Sequence, residues 1–298
     1  MSKNSKRWHV AKASIGIIGG SGLYRIEGIK VIEEVTVKTP WGYPSDSLVI
    51  AEIGGVSTAF LPRHGKGHVF LPHEINFRAN IAALKMVGVE KIVAFSAVGS
   101  LKEEIRPLDF VLPSQVIDRT RGRESTFFGG GIAAHVGFAD PFCGSLCGII
   151  ASAAAEEGLK LHTGETLICM EGPAFSSRAE SMLYRSWGAG VINMSTLPEA
   201  KLAREAEMCY AVMAHVTDYD VWHESEEDVT VELVLQTLSA NVRLAQRALL
   251  AVVERLAGSA RPCECEGALA NALITAREAV PPETLARLRP IVGKYFGE

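Results

Sequence analysis

The sequence predicts an α/β fold in which helices cover both faces of a mixed central sheet. Short apolar runs rich in β-branched residues alternate along the chain with longer Ala- and Leu-rich segments whose apolar residues recur every three or four positions. Strands that alternate with helices are typical of a largely parallel or mixed sheet. The 298 residues, 48% of them hydrophobic, are enough to bury a substantial core. We therefore expect a single three-layer α/β/α domain.

The individual elements follow from these patterns. The predicted strands, in chain order, are Ser14–Ile18, Ser47–Ile53, Thr58–Leu61, Lys91–Ser96, Asp109–Leu112, Thr166–Cys169, Gly190–Met194 and Tyr210–Val216. The predicted helices are Glu74–Met86, Pro141–Glu157, Arg178–Trp187, Pro198–Met208 and Val229–Leu256. The composition changes at Gly258, where prolines and two cysteines precede a final helical stretch. We expect a domain at residues 1–257 and a C-terminal helical tail of unknown role at residues 258–298.

Charge and composition exclude several classes of protein. A net charge of -4 and a pI near 6.1 argue against a nucleic-acid partner, because such proteins usually carry a basic face. The apolar run Ile15–Ile18 is too short for a signal peptide, and no run approaches the length of a membrane span. We therefore expect a cytoplasmic protein without a membrane partner. The six cysteines are scattered without zinc-finger spacing, so no metal is predicted.

Glycine-rich and polar loops follow the predicted strands. In α/β sheets, ligands gather outside the carboxyl ends of strands. Glycines 19, 20 and 22 permit backbone N–H groups to wrap around an anion, although this segment taken alone favours a tight glycine turn. Arg63 and His64 offer donors for phosphate oxygens, and Ser21, Ser96 and Ser195 add hydroxyls at strand ends. Together these residues predict a site for a tetrahedral anion.

Two aspartates end the last predicted strand. Asp218 and Asp220 are two residues apart, so in an extended backbone both side chains leave on one side. Paired carboxylates in a dry cleft tend to separate in pKa, and the protonated one can protonate a leaving group such as purine N7. An Asp-rich turn that precedes a helix accounts for the segment equally well.

Six ordered motifs resemble the trimeric purine nucleoside phosphorylase superfamily, and within it the 5'-methylthioadenosine phosphorylases. They are Gly16–Leu23, Arg63–His68, Ser96–Ser100, Glu171–Glu180, Asn193–Glu199 and Thr217–Asp220. The resemblance implies a nucleoside-phosphorylase-like fold, a homotrimer or dimer of trimers, and inorganic phosphate as co-substrate without any cofactor. The implied reaction converts 5'-methylthioadenosine to adenine and 5-methylthioribose 1-phosphate.

The resemblance also implies a role for each site residue. The implied phosphate site comprises Ser21, Arg63, His64, Ser96, Ala97 and Ser195. Met194 and Asn193 lie at the sugar, Phe175 and Ser176 contact the base, and Asp218 and Asp220 recognise adenine. The implied 5'-methylthio pocket comprises His68, Val231, Val234 and Leu235, and His135 contributes to the site of a neighbouring subunit. Ala174 departs from the family pattern, which has Arg at that position in many members.

Other functions compete with methylthioadenosine phosphorolysis as explanations of the sequence. A phosphorylase of 6-oxopurine nucleosides typically has Asn at position 218, because an amide can donate to O6, whereas this chain has Asp218. A phosphorylase specific for methylthioinosine is harder to exclude, because the shape of the pocket could adapt the same carboxylates to that base. A nucleosidase needs no anion site, so Arg63 and His64 argue against it. An NAD(P)-dependent oxidoreductase lacks support because no acidic residue ends a second strand at the expected distance. A binding protein without activity would not require so many polar loops.

Overall fold

A mixed sheet forms the middle layer of the protein, as the sequence predicts. The computed structural model describes residues 12–20, 29–224 and 229–297. Within these ranges the strands are β1 (Ile15–Gly19), β2 (Lys30–Val35), β3 (Leu48–Ile53), β4 (Val56–Pro62), β5 (Lys91–Ser100), β6 (Phe110–Leu112), β7 (Gln115–Arg119), β8 (Leu161–Thr163), β9 (Thr166–Met170), β10 (Val191–Asn193) and β11 (Cys209–Asp218). The main path through the sheet is β2-β3-β4-β1-β5-β10-β9-β7. β11 pairs with β5 and β6, and β8 pairs with β6.

Strand β5 is the branch point of this sheet. It pairs in parallel with β1 and with β11, and its last residues pair antiparallel with β10. The predicted strand ended at Ser96, whereas β5 continues to Ser100. Ser96 and Ala97 therefore lie within the strand and not in a loop after it. β11 and β10 both pair with the carboxyl half of β5, which is where the candidate site lies.

Helices cover both faces of the sheet and bury two large apolar clusters and one small one. The α-helices are α1 (Phe77–Met86), α2 (Gly144–Glu156), α3 (Arg178–Ser186), α4 (Thr196–Glu205), α5 (Val231–Leu256) and α6 (Pro282–Phe296). Alternation along β1 places Ile18 in the cluster beneath α1, α4 and α6, and Ile15 and Ile17 in the cluster beneath α2 and α5. The three-layer α/β/α prediction is confirmed.

Local sequence signals account for several helix starts. The Asn76 side chain accepts a hydrogen bond from the Ala79 amide at the start of α1, and Thr230 caps α5 in the same way. Ser177 and Glu180 form a reciprocal capping box at the start of α3. These caps satisfy amides that would otherwise lack partners in the first turn of each helix.

Three strands were not predicted from the sequence. β2 and β7 lie at the two ends of the main path, and their side chains are exposed or half-buried. β8 has three residues and pairs with β6 alone. Edge strands bury little apolar surface, so they lack the continuous apolar run that marks a central strand.

The C-terminal residues pack against the rest of the protein. Leu288 and Val292 of α6 are fully buried in the same cluster as Leu84 of α1. Ala134 and Leu273 form an antiparallel bridge, and the His135 amide donates to the Ala272 carbonyl. Two short 3-10 helices, Glu264–Gly267 and Arg277–Ala279, complete this region. The division at residue 257 stays a prediction, but α6 shares the core of the preceding residues.

Candidate active site

A hydrogen-bonded group of hydroxyls and one amide lies beside the middle of β5. The Ser96 and Ser195 hydroxyls are 3.1 Å apart, and the Asn193 side-chain amide donates to the Ser96 hydroxyl at 2.9 Å. The same amide donates to Thr196 at 2.9 Å. All four side chains are buried. The structure therefore brings three predicted site residues together from β5, β10 and the start of α4, and Asn193 orients the two serines.

Arg63 directly follows β4 and is only 4% exposed. Its guanidinium donates to both carboxylate oxygens of Glu199, at 2.5 and 3.1 Å, and to the Phe95 carbonyl at 2.9 Å. Burial alone would lower the pKa of Arg63, but the Glu199 carboxylate outweighs this effect and raises the pKa above its ordinary value. These bonds use three of the five N–H groups of the guanidinium, which leaves donors for a ligand.

Glu199 is a site residue that the sequence analysis missed. It is fully buried, and the Tyr210 hydroxyl donates to it at 2.8 Å. Because Glu199 neutralises Arg63, the charge that faces a bound anion is that of an ion pair and not of a bare cation. Glu199 ends the motif Asn193–Glu199, which was its only signal in the sequence.

His64 and His68 stack with ring centroids 4.1 Å apart. The Nδ1 atom of His64 lies 2.9 Å from the Phe70 carbonyl, so this nitrogen carries a proton and donates. Burial, with a smaller effect from nearby Arg63, lowers the pKa of His64 to about 4. The ring is therefore neutral at pH 7, and Nε2 is an acceptor. This differs from the expectation that His64 donates to phosphate.

Asp218 and Asp220 are both 4% exposed and lie at the end of β11. The Thr217 hydroxyl and the Asp220 amide donate to Asp218 at 2.6 and 2.8 Å. Burial nevertheless raises the pKa of Asp218 to about 6, and burial also raises the pKa of Asp220. The backbone at Asp220 has φ of 54°, so the predicted extended geometry ends at Asp218. A pair of carboxyl groups with raised pKa values can hold a proton near neutral pH.

Gly99 on β5 provides the space for these carboxyl groups. A Cβ atom at this position would lie 2.9 Å from an Asp218 oxygen and 3.3 Å from the Asp220 Cβ. The strand rise puts Ser96 and Gly99 about 10 Å apart along β5. Asp218 pairs with Gly99 in the sheet, so the carboxyl pair lies about 10 Å along the strand direction from the hydroxyls of Ser96 and Ser195.

Arg123 connects the segments that carry the predicted sugar and base contacts. It was not predicted from the sequence. Its guanidinium donates to the Glu171 side chain and to the carbonyls of Glu171, Met194 and Leu197, at 2.5 to 3.1 Å. Its side chain is 2% exposed. A Cβ at Gly172 would overlap the Met194 sulfur, so the glycine lets this loop approach Met194 closely.

The base-contacting candidates differ in burial. Ser176 is buried, and its hydroxyl lies 3.7 Å from the Met170 sulfur at the end of β9, whereas Phe175 is 39% exposed.

The structure does not gather all predicted site residues. Ser21 lies outside the described residues. His135 is exposed and held by the C-terminal segment through its backbone. Val231 and Leu235 are exposed on the first turns of α5, and Val234 is half-buried. The Val229 amide donates to the Asp220 carbonyl at 3.2 Å, which holds the start of α5 next to the carboxyl pair.

Four cysteines that are scattered in the sequence converge away from these loops. The Sγ atoms of Cys143, Cys209, Cys263 and Cys265 all lie within 4.8 Å of one another. Spacing could not reveal this group, because only the last two cysteines are neighbours in the sequence.

In the part of the chain that the structure describes, no helix has the length and apolar character needed to cross a membrane.

Comparisons with known proteins agree with this geometry. A family model described as "Phosphorylase superfamily" matches residues 14–254. A Koribacter versatilis protein named S-methyl-5'-thioadenosine phosphorylase is 53% identical over 96% of this chain and 98% of its own length. A Gloeobacter violaceus protein with the same name is 54% identical over 95% of this chain and 96% of its own.

Solved structures give the same result. A methylthioadenosine phosphorylase from an antarctic soil metagenomic library superposes with a TM-score of 0.91 at 45% identity, covering 95% of this chain and 99% of that one. A methylthioadenosine phosphorylase from Schistosoma mansoni, in complex with adenine, superposes with a TM-score of 0.80 at 38% identity. This match covers 84% of this chain and 93% of that one.

Proposed function

The chain belongs to the phosphorylase superfamily, and we propose that it is a pentosyltransferase that cleaves 5'-methylthioadenosine with inorganic phosphate. The products are adenine and 5-methylthioribose 1-phosphate, so the enzyme acts in purine and methionine salvage. The similarity of the named relatives over nearly the whole chain supports this reaction. The observation that carries it is the buried carboxyl pair Asp218 and Asp220, about 10 Å along β5 from the buried hydroxyls of Ser96 and Ser195.

Phosphate binds, in this proposal, between Arg63, His64, the backbone of Ala97 and the hydroxyls of Ser21, Ser96 and Ser195. The two N–H groups of Arg63 that are not engaged by Glu199 or Phe95 face the anion. Because His64 is neutral with its proton on Nδ1, its Nε2 accepts a hydrogen bond from the hydroxyl of monohydrogen phosphate. This arrangement selects a phosphate species that still carries one proton. Phosphate is the co-substrate, and no cofactor takes part in the reaction.

The nucleoside lies between the anion and the carboxyl pair. Met194 and Asn193 contact the ribose, Phe175 and Ser176 contact the adenine, and Asp220 accepts from the 6-amino group. His68, Val231, Val234 and Leu235 surround the methylthio group. His135 serves the site of a neighbouring subunit in a homotrimer or dimer of trimers, which light scattering can test. An exposed His135 on a backbone fixed at Ala272 is suited to such a contact.

The reaction breaks the bond between the ribose C1' and the purine N9. The electron pair of this bond moves onto the base while Asp218 gives a proton to N7, so that the base leaves neutral. A phosphate oxygen then forms the new bond to C1' from the opposite face, and its negative charge stabilises the oxocarbenium-like transition state. A pKa of about 6 lets Asp218 hold that proton in a sizeable fraction of molecules near neutral pH.

A phosphorolysis assay with four nucleosides tests this proposal. Purified protein should release adenine from 5'-methylthioadenosine only when phosphate is present, and should act weakly on adenosine, methylthioinosine and inosine. Release of base without phosphate would identify a nucleosidase instead. A preference for inosine would identify a 6-oxopurine phosphorylase.

A further inference from the structure

A buried group of four thiols has no part in the proposed reaction. Cys143 precedes the first turn of α2, and Cys209 is the first residue of β11. Cys263 precedes a 3-10 helix in the C-terminal segment, and Cys265 lies within that helix. Three of the four are buried, and Cys263 is half-buried. Two thiols thus come from the body of the fold and two from residues beyond 257.

From the convergence of these four sulfur atoms within 4.8 Å of one another, we propose that Cys143, Cys209, Cys263 and Cys265 bind one structural zinc ion. Four thiolates around Zn²⁺ at about 2.3 Å form a tetrahedron whose sulfur atoms are about 3.8 Å apart. The Cys209 and Cys263 sulfurs are 3.4 Å apart, and all four are free thiols in this structure. Small shifts would bring the set to tetrahedral geometry.

The donor set selects the metal. Thiolates prefer zinc over calcium and magnesium, which take oxygen ligands. Four protein ligands occupy every tetrahedral position, which is typical of a structural and not of a catalytic zinc site. Binding converts four thiols to thiolates and releases four protons to solvent, without any oxidant or reductant.

The surroundings can balance the charge of a zinc tetrathiolate, which is 2-. The guanidinium of Arg261, which donates to the Glu207 carbonyl at 2.8 Å, lies near Cys209 and would place a positive charge beside the bound ion. Cys143 stands at the N-terminal end of α2, where the helix dipole favours negative charge. Both features would offset part of the negative charge of the bound zinc tetrathiolate.

The consequence of such a site is a cross-link between two parts of the chain. The zinc ion would cross-link the segment after residue 257 to the start of α2 and the start of β11. An ion that binds only the folded protein stabilises it by mass action. The site would therefore raise the thermal stability without any contact with substrate.

The test measures metal in the full-length protein, purified in reductant without chelator. We expect one zinc per chain by elemental analysis, and almost none in the double variant Cys263→Ser/Cys265→Ser. Cys147→Ser is the matched control, because Cys147 lies on α2 outside the cluster. It should keep its zinc. Protein that contains no zinc and gains none when reduced protein is incubated with zinc would overturn the proposal, as would equal zinc in the double variant.

A second measurement needs no variant, in case the double variant does not fold. Replacement of zinc by Co²⁺ in the wild-type protein should give the intense visible absorption of tetrahedral tetrathiolate cobalt. Thiol titration of the denatured protein without reductant should find all six cysteines free. A titration that finds two or four fewer thiols would show disulfides in place of the metal and would overturn the proposal. A cobalt spectrum typical of octahedral oxygen ligands would also do so.

Discussion

At the scale of single residues, the carboxyl group of Asp218 combines a functional property with a cost in stability. It accepts two hydrogen bonds, yet burial keeps its pKa near 6 instead of 3.8. Between these two values the folded protein binds a proton that the unfolded chain has released, so stability falls as the pH rises through this window. A group of this kind is retained for chemistry and not for folding.

Replacing Asp218 with Asn separates these two effects. We expect Asp218→Asn to lose most activity on 5'-methylthioadenosine, and to raise the relative activity on inosine, because the amide donates to O6. The variant should also be more stable than the wild type at pH 7, by about 2–3 kcal/mol, and the difference should vanish near pH 4. Thermal unfolding at several pH values and one protein concentration measures this difference in stability between the variant and the wild type. The exposed Asp140→Asn is the control. An unchanged substrate preference would contradict the assignment of Asp218 to the base.

Arg63 requires a paired substitution because it is buried against Glu199. Removing Arg63 alone would leave an unpaired buried carboxylate, which typically costs about 3–5 kcal/mol. The double variant Arg63→Met/Glu199→Gln removes both charges and keeps an acceptor for Tyr210. We expect its KM for phosphate to rise about tenfold or more while its KM for the nucleoside changes little. Equal increases in both KM values would place Arg63 outside the anion site.

At the scale of elements, the sequence revealed the parts that are buried on both sides. β1, β3, β4, β5 and β11 were predicted because each is an apolar run in the centre of the sheet. The edge strands β2 and β7 were not, because their exposed faces hold charged residues. Arg63, Ser96 and Asp218 were predicted as site residues from their motifs, although Ser96 and Asp218 lie within β5 and β11 and not in loops. The ion pair of Arg63 with Glu199 was not predicted, since 136 residues separate the two.

The link that Arg123 forms between elements gives a further prediction. Lysine would keep the charge but lose the planar fork that reaches carbonyls of β9, Met194 and Leu197 at the same time. We expect Arg123→Lys to lose about 2 kcal/mol of stability and to raise the KM for the nucleoside severalfold. Denaturation and steady-state kinetics measure the two effects. The exposed Arg121→Lys should change neither, and equal behaviour of the two variants would contradict the role of Arg123.

At the scale of the whole molecule, the C-terminal segment is a structural part of the fold. Besides the packing of α6, the Glu207 carboxylate, which is 3% exposed, accepts from Lys294 at 2.7 Å and from Tyr295 at 2.5 Å. The sequence predicted the final helix but not this attachment. Composition alone marked the segment as different, because contacts between distant residues leave no local pattern.

Removing a buried side chain from α6 measures how far the segment contributes to stability. We expect Leu288→Ala to lower the free energy of unfolding by about 2–5 kcal/mol, because Leu288 is fully buried in the cluster shared with α1. Leu285→Ala, at a half-buried position of the same helix, should cost less. Chemical denaturation compares the two variants. A cost below about 1 kcal/mol for Leu288→Ala would mean that α6 packs only loosely.

The bridge between Ala134 and Leu273 has a consequence for how the protein is made. Its two sides are separated by more than a hundred positions, so Leu273 leaves the ribosome long after Ala134. Contacts between such distant positions form slowly because a long loop must close first. Much of the sheet can assemble earlier in synthesis, whereas the loop that presents His135 reaches its final position only after Leu273 has left the ribosome.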